Sequence, residues 1–220
     1  MRNTFLLSLI FSCSIASAQF VQPERRAFQI SAGLGVDAMS SHSVFTYINT
    51  LFGVPSTQTL GGLIPATEFF IVPEYQITDH WLVGFEYSYL LVSKSVAGYY
   101  AGEYSESIHM PMMIAHYCLH GEGYWLKCGG GIGYNFGTLT QTFTDIGSEE
   151  TFAAQGAGMK LEAVMNLAFD EHWYGMLSGD VRWGIGNTFA DHGTKADYQS
   201  VSPQLNYITV GMKLGMMYQF

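Results

Sequence analysis

From residue 206 to residue 220 the chain alternates without a break. Asn206, Ile208, Val210, Met212, Leu214, Met216, Tyr218 and Phe220 fall on one side, and Tyr207, Thr209, Gly211, Lys213, Gly215, Met217 and Gln219 on the other. A period of two marks an extended strand whose two faces meet different surroundings. Strands of soluble proteins usually run about 5–6 residues, whereas a tilted strand crossing the hydrocarbon of a membrane needs about 9–11. A run this long, apolar on one side and small or polar on the other, predicts a membrane-crossing strand.

The same pattern recurs upstream at 28–37, 81–89, 124–135, 157–169 and 173–185, and more weakly at 67–76 and 107–117, which makes eight strands. The joints between them alternate in length: short at 77–80, 119–123 and 170–172, long at 38–66, 93–106, 137–152 and 187–203. An antiparallel, up-and-down barrel with both termini in the periplasm has this arrangement, tight turns inside and long loops outside. Closure is a physical requirement, because a sheet edge in hydrocarbon leaves amides with no partner. A porin of sixteen or more strands is too large for 220 residues. A soluble sandwich would turn its polar face outward. The fold class predicted is therefore all-β, an eight-stranded transmembrane barrel.

Composition agrees. Charged residues make up only 12% of the chain, yet beyond the N-terminus no apolar stretch approaches the ~18 residues of a membrane helix. Residues 1–18 read as a cleaved signal peptide, with Arg2 in the basic n-region, an apolar run at 5–11 and Ala16-Ser17-Ala18 before Gln19. A lipoprotein signal acylated at Cys13 is the competing reading. The barrel domain is then 19–220. The net charge of −9 argues against binding nucleic acid through a basic patch.

Ala16-Ser17-Ala18-Gln19, the eight-strand length pattern and the terminal run ending in Phe220 together resemble the small outer-membrane β-barrels of Gram-negative bacteria, the group that includes OmpX-like proteins. Met110-Pro111-Met112-Met113-Ile114 also resembles an Ile-Pro-Leu-Leu strand frequent in such domains. The resemblance covers the mature chain and implies location in the outer membrane, contact with its lipid and lipopolysaccharide, and recognition by the barrel-assembly machinery through Tyr218 and Phe220. It implies no particular activity, since such barrels include adhesins, structural proteins and enzymes.

Charged residues on the inner sides of the strands are the first candidates for a role: Glu74, Glu86, Lys127, Lys160, Glu162, Asp180, Arg182 and Lys213. An eight-stranded lumen is only wide enough for side chains, and an unpaired charge there costs several kcal/mol, so these residues are expected to pair across it. A proton path, a narrow channel or a catalytic pair is the alternative. Trp81, Trp125 and Trp173 each follow a tight turn and are expected to form an interfacial girdle on the periplasmic side. Cys118 and Cys128 flank the second turn. A hairpin centred on Gly123 sets them opposite each other within disulfide distance, and a shift of one residue separates them.

The seven histidines are dispersed and read as solvated or interfacial. His42 beside Ser41 and Ser43, and Asp191 beside His192, are the groups from which a lipid A hydrolase would have to be built. Neither sits in such an enzyme's motif, and the expectation is no enzyme, no cofactor and no metal. The loop acids Glu103, Glu106, Asp145, Glu149, Glu150, Asp191 and Asp197 face only Lys94 and Lys195, which suits divalent cations bridging lipopolysaccharide, a basic partner or simply solvent, and no EF-hand spacing is present. Within the first long loop Val44, Phe45, Tyr47, Ile48, Leu51 and Phe52 recur at helical intervals, with Ser43 as cap, Gly53 past the end and Pro55 as a stop. A hairpin extension of the first strand is the other reading. The function expected is a non-enzymatic barrel presenting its loops for a structural, adhesive or partner-binding role, with an extracellular or envelope protein as the partner.

Overall fold

The computed structural model describes residues 28–121, 123–144 and 147–220; the expected signal segment 1–18, with Cys13, and Asp145 lie outside them. The elements are β1 (Phe28–Ser40), α1 (His42–Phe52), β2 (Ile64–Gln76), β3 (Trp81–Ala97), β4 (Ala101–Gly121), β5 (Tyr124–Phe143), β6 (Ser148–Ala168), β7 (Trp173–Gly186), the two-residue strands β8 (Ala190–Asp191) and β9 (Thr194–Lys195), and β10 (Tyr207–Gln219). Eight long strands form one antiparallel ring in the order β5-β4-β3-β2-β1-β10-β7-β6, closed by pairing of β5 with β6. Both chain ends of the ring meet at β1 and β10, where Leu34 stands opposite Leu214 and Phe220 donates its N–H to the Phe28 carbonyl at 3.0 Å. The outer face carries an apolar belt from every strand, including Leu34, Ile71, Phe85, Met113, Ile132, Leu161, Leu177 and Leu214, the last 67% exposed. Only lipid can accept such a surface around the whole circumference.

Two of the predicted long joints are not loops. Residues 93–106 and 137–152 are mostly strand: β3 and β4 stay paired up to Ala97 opposite Ala101, and β5 and β6 up to Phe143 opposite Ser148. Above the belt the alternation inverts. Val92, Val96, Tyr104, Ile108 and Leu139 turn inward, while Ser93, Ser95 and Glu103 face out. A ribbon leaving the membrane must show water its polar side, so the apolar-outward pattern stops where the strand itself continues.

The first loop holds the helix. Its apolar residues Val44, Phe45, Tyr47, Ile48, Leu51 and Phe52 are all buried, packed with Met39, Ile64, Val92, Tyr104, Leu139, Phe189 and Leu205 in one core that fills the wide-loop end of the barrel. A helix of eleven residues is marginal in water, and this burial is what holds it. Gly53 ends it in the left-handed conformation (φ 61°, ψ 44°), with the Val54 N–H returning to the Asn49 carbonyl at 2.9 Å. The expected cap Ser43 lies inside the helix, which starts one residue earlier with Ser41 at the N-cap. Neither hydroxyl caps it. Ser41 donates to the Asn206 carbonyl (3.0 Å) and Ser43 to that of Gln204 (2.9 Å), tying the helix to the last loop.

Met212 tests the lipid belt, since it is 65% exposed midway along β10. Met212→Arg should destabilise the protein in phospholipid vesicles by about 2–4 kcal/mol, whereas Ser105→Arg on the ribbon should change stability by less than about 0.5 kcal/mol. Urea titrations followed by tryptophan fluorescence read both.

Candidate functional site

The interior is layered along the barrel axis. At the tight-turn end Trp125 and Tyr174 pack ring to ring at 5.6 Å, and the Tyr174 hydroxyl donates to Gln219 Oε1 at 3.1 Å. The middle is charged, and the far end is the apolar core beneath α1.

All eight charged residues taken from the alternation face inward and are buried, and they join in one network. Lys127 Nζ donates to Glu74 Oε2 at 2.5 Å, and Gln29 Nε2 reaches the same oxygen at 2.6 Å. Lys160 bonds Glu86 and lies 2.8 Å from Glu162 Oε1. Arg182 Nη2 lies 2.6 Å from both Glu68 Oε1 and Asp180 Oδ2. Lys213 stands between Glu162 Oε2 (3.2 Å), Asp180 Oδ2 (3.3 Å) and Glu86 Oε1 (3.5 Å). Register on β6 and β7 sets like charges side by side, Lys160 opposite Arg182 and Glu162 opposite Asp180, so the pairs form along each strand and across the lumen: Lys160 with Glu162 and Glu86, Arg182 with Asp180 and Glu68.

Three acids and one histidine of this interior were missed in the sequence. Asp37, Glu68 and Glu106 are buried, Glu106 on an inward position of β4 where a surface loop was expected. His116, expected to be solvated or interfacial, is buried as well: its Nδ1 lies 2.6 Å from Glu74 Oε1 and its Nε2 2.9 Å from Glu162 Oε1. The ring fits because the opposite residue is Gly129, where a Cβ would come within 2.5 Å of His116 Cδ2. Both faces of β4 here are apolar, which hid its parity; the glycine run across from it was the available signal.

Two further expectations are corrected. Trp81 and Trp173 are 49% and 46% exposed at the outer rim, but Trp125 is 1% exposed and points into the barrel. The strand starts at Tyr124, which takes the outer position, so Trp125 shares the inner face with Lys127. Tyr218 completes the rim, its ring 4.9 Å from those of both Trp173 and Phe220. The turn register pairs Cys118 with Lys127 and Tyr117 with Cys128, one residue away from a disulfide pairing. Cys118 is buried, Cys128 is exposed, and both are free thiols.

At the mouth, β5, β6 and the 187–206 segment surround a cleft of about 860 Å³ beside α1. Glu149, Glu150, Asp191 and Asp197 line it together with Tyr47, Phe152, Tyr198, His192 and Lys195. Gln141 Nε2 donates to Glu150 Oε2 at 2.6 Å. Burial pushes the Tyr47 phenol above its ordinary pKa; the Gln141 contact opposes this, and Glu150 and Asp197 add to it. Asp191 and His192 lie 3.7 Å apart and both are exposed.

This ring of eight long, lipid-belted strands is the fold of the small outer-membrane β-barrels. No family model matches the sequence, and no curated protein matches it either. Among solved structures it is similar to Ail, the attachment invasion locus protein of Yersinia pestis, in complex with the heparin analogue sucrose octasulfate: TM-score 0.53, 10% identity, 90% of this chain and 100% of that one covered. It is also similar to the outer membrane protein OprG of Pseudomonas aeruginosa, with TM-score 0.50, 14% identity and coverage of 91% and 99%. At such identities the likeness lies in the fold.

Lys213→Met leaves several buried carboxylates short of a cation and should cost about 3–5 kcal/mol, seen as a lower melting temperature of the folded, fast-migrating gel band. In native protein a lipid-permeable maleimide should label Cys128 and spare Cys118, with Cys118 reacting only after denaturation; mass spectrometry of peptides reads both.

Proposed function

We propose that this chain is a non-enzymatic, non-conducting outer-membrane barrel that binds a positively charged partner at its outward-facing mouth. The observation that carries the reading is the acidic cleft: four carboxylates gather beside aromatic side chains, and Lys195 is the one lysine or arginine among its described lining residues. Carboxylates grouped in a concave surface attract cationic segments and speed their encounter. The neighbouring aromatic rings suit the aliphatic stems and charged heads of lysine and arginine. Ail was solved with a polyanion; the cleft here is itself negative and would repel such a ligand, so a cationic one is assigned to it.

The interior supports a role as scaffold. Paired charges fill the middle of the lumen and the α1 core fills its outer end, which opposes a conducting path. An enzyme finds little support, because the hydroxyls of Ser41 and Ser43 donate to backbone carbonyls and the Asp191–His192 pair is exposed to water. The apolar belt serves contact with lipid and the acyl chains of lipopolysaccharide, the periplasmic rim of Trp81, Trp173, Tyr218 and Phe220 serves contact with the inner leaflet, and the terminal strand serves recognition by the assembly machinery.

The protein in lipid nanodiscs should bind a fluorescent oligolysine and not an oligoglutamate. The triple variant Glu149→Gln, Glu150→Gln, Asp197→Asn should weaken oligolysine at least about tenfold, equivalent to 1.4 kcal/mol, and His42→Ala, outside the cleft lining, should leave it unchanged. Equal binding of both peptides, or unitary conductance steps in a planar bilayer, refutes the proposal.

A further inference from the structure

Among the described residues, seven buried carboxylates face four buried lysines and arginines. Counting His116 as a fifth cation still leaves a surplus of two negative charges, and the surplus is localised. Glu106 lies on β4 toward the apolar end, away from every ion pair of the network. The rest gathers where Asp37, Glu68 and Asp180 converge: each is buried, and each offers a carboxylate oxygen within 4.8 Å of the other two.

The cations nearby leave this point open. Arg182 Nη2 engages Glu68 Oε1 and Asp180 Oδ2, each at 2.6 Å. Lys213 approaches the same two oxygens, at 3.9 and 3.3 Å. Glu68 Oε2 and Asp180 Oδ1 are left with no hydrogen-bond partner, and so are both oxygens of Asp37, a residue only 1% exposed. These unpartnered atoms are aimed together. Asp37 and Asp180 flank Gly211 on the adjoining strands, and a Cβ placed there would lie 2.4 Å from Asp37 Oδ1 and 2.8 Å from Asp180 Oδ1. Gly211 thus leaves the space over which the two carboxylates meet. Three like-charged groups at this range, shielded from water, repel strongly unless something positive lies between them.

We propose that Asp37, Glu68 and Asp180 form a buried structural site for a hard divalent cation of the calcium class inside the barrel. The donor set is all oxygen, with no imidazole or thiolate, which favours calcium over zinc or copper. The spacing suits it too, since two oxygens on opposite sides of a calcium ion stand roughly 4.6–5.2 Å apart. Such an ion would lock β1, β2 and β7 together at mid-barrel. It is distinct from the mouth cleft and does not depend on the ligand proposed there.

The full chain, extracted from membranes in mild detergent and passed over a chelating resin, should retain about one equivalent of calcium by mass spectrometry, as a closed structural site would. Its folded gel band should melt several degrees lower after incubation with chelator during heating, and recover with added calcium. Asp37→Asn, which keeps the shape, should lose the metal and the response to chelator; Glu106→Gln, a buried carboxylate outside the cluster, should keep both. Wild-type protein that holds no divalent metal and melts alike in chelator and in calcium overturns the proposal and assigns a shared proton to the cluster. Retention of the metal by Asp37→Asn overturns it as well. The wild-type measurement decides the matter even if that variant fails to fold.

Discussion

A backbone amide in hydrocarbon has no water to bond to, and the whole molecule follows from that. It forces the strands into a ring, since only a closed sheet pairs every N–H and C=O inside the membrane. Eight strands make the ring too narrow for an open channel and wide enough to need filling. The outer face must then be apolar within the membrane, which sends the charged residues of the lipid-belted stretches inward. Once there, they cannot be left alone, because a buried charge without a partner is worse than none. The network running from Glu74 through His116, Glu162, Lys160 and Glu86 to Arg182 is the consequence.

The part of this that was legible in the sequence is the part governed by lipid. Leu34, Ile132, Leu161 and Leu214 announce their strands because hydrocarbon demands an apolar side chain at each second position. Lys160 and Arg182 could be assigned to the lumen for the same reason. Legibility failed wherever both faces met similar surroundings. Along β4 the inward Met110, Met112 and Ile114 resemble the outward Met113, so His116 had no visible parity. Above the membrane, water replaces lipid outside, and the inverted ribbon of Ser93, Ser95 and Glu103 has the composition of a loop. Trp125 shows a third kind of failure, in which a residue type suited to an interface outweighed the parity that placed it beside Lys127.

The helix α1 belongs to the same logic. The ribbons that rise past the membrane carry apolar residues on their inner faces, and a tube of water lined by Val92, Tyr104, Ile108 and Leu139 would be unstable. The loop between β1 and β2 supplies Val44, Ile48, Leu51 and Phe52 to fill it. A sequence too short to hold a helix by itself becomes one because the barrel offers a cavity of the right polarity, and the upper ribbons stay together because the helix occupies it. Each element lacks a partner without the other.

This coupling bears on where function can reside. With the tight-turn end packed by Trp125 and Tyr174, the middle by ion pairs and the outer end by α1, the interior is filled, and the surfaces open to water are the short turns at one end and the mouth with its ribbons at the other. The mouth is held from below: Tyr47 belongs to the helix that plugs the barrel and also to the wall of the acidic cleft, and Gln141 binds Glu150 across β5 and β6. The floor of the cleft is the apolar plug, and Glu149 and Glu150 stand on a wall of paired strands that holds them in place, while Asp191 and Asp197 come from the 187–206 segment. Preorganised charge of this kind suits the cationic partner proposed for the mouth, because the groups that meet it need little ordering first.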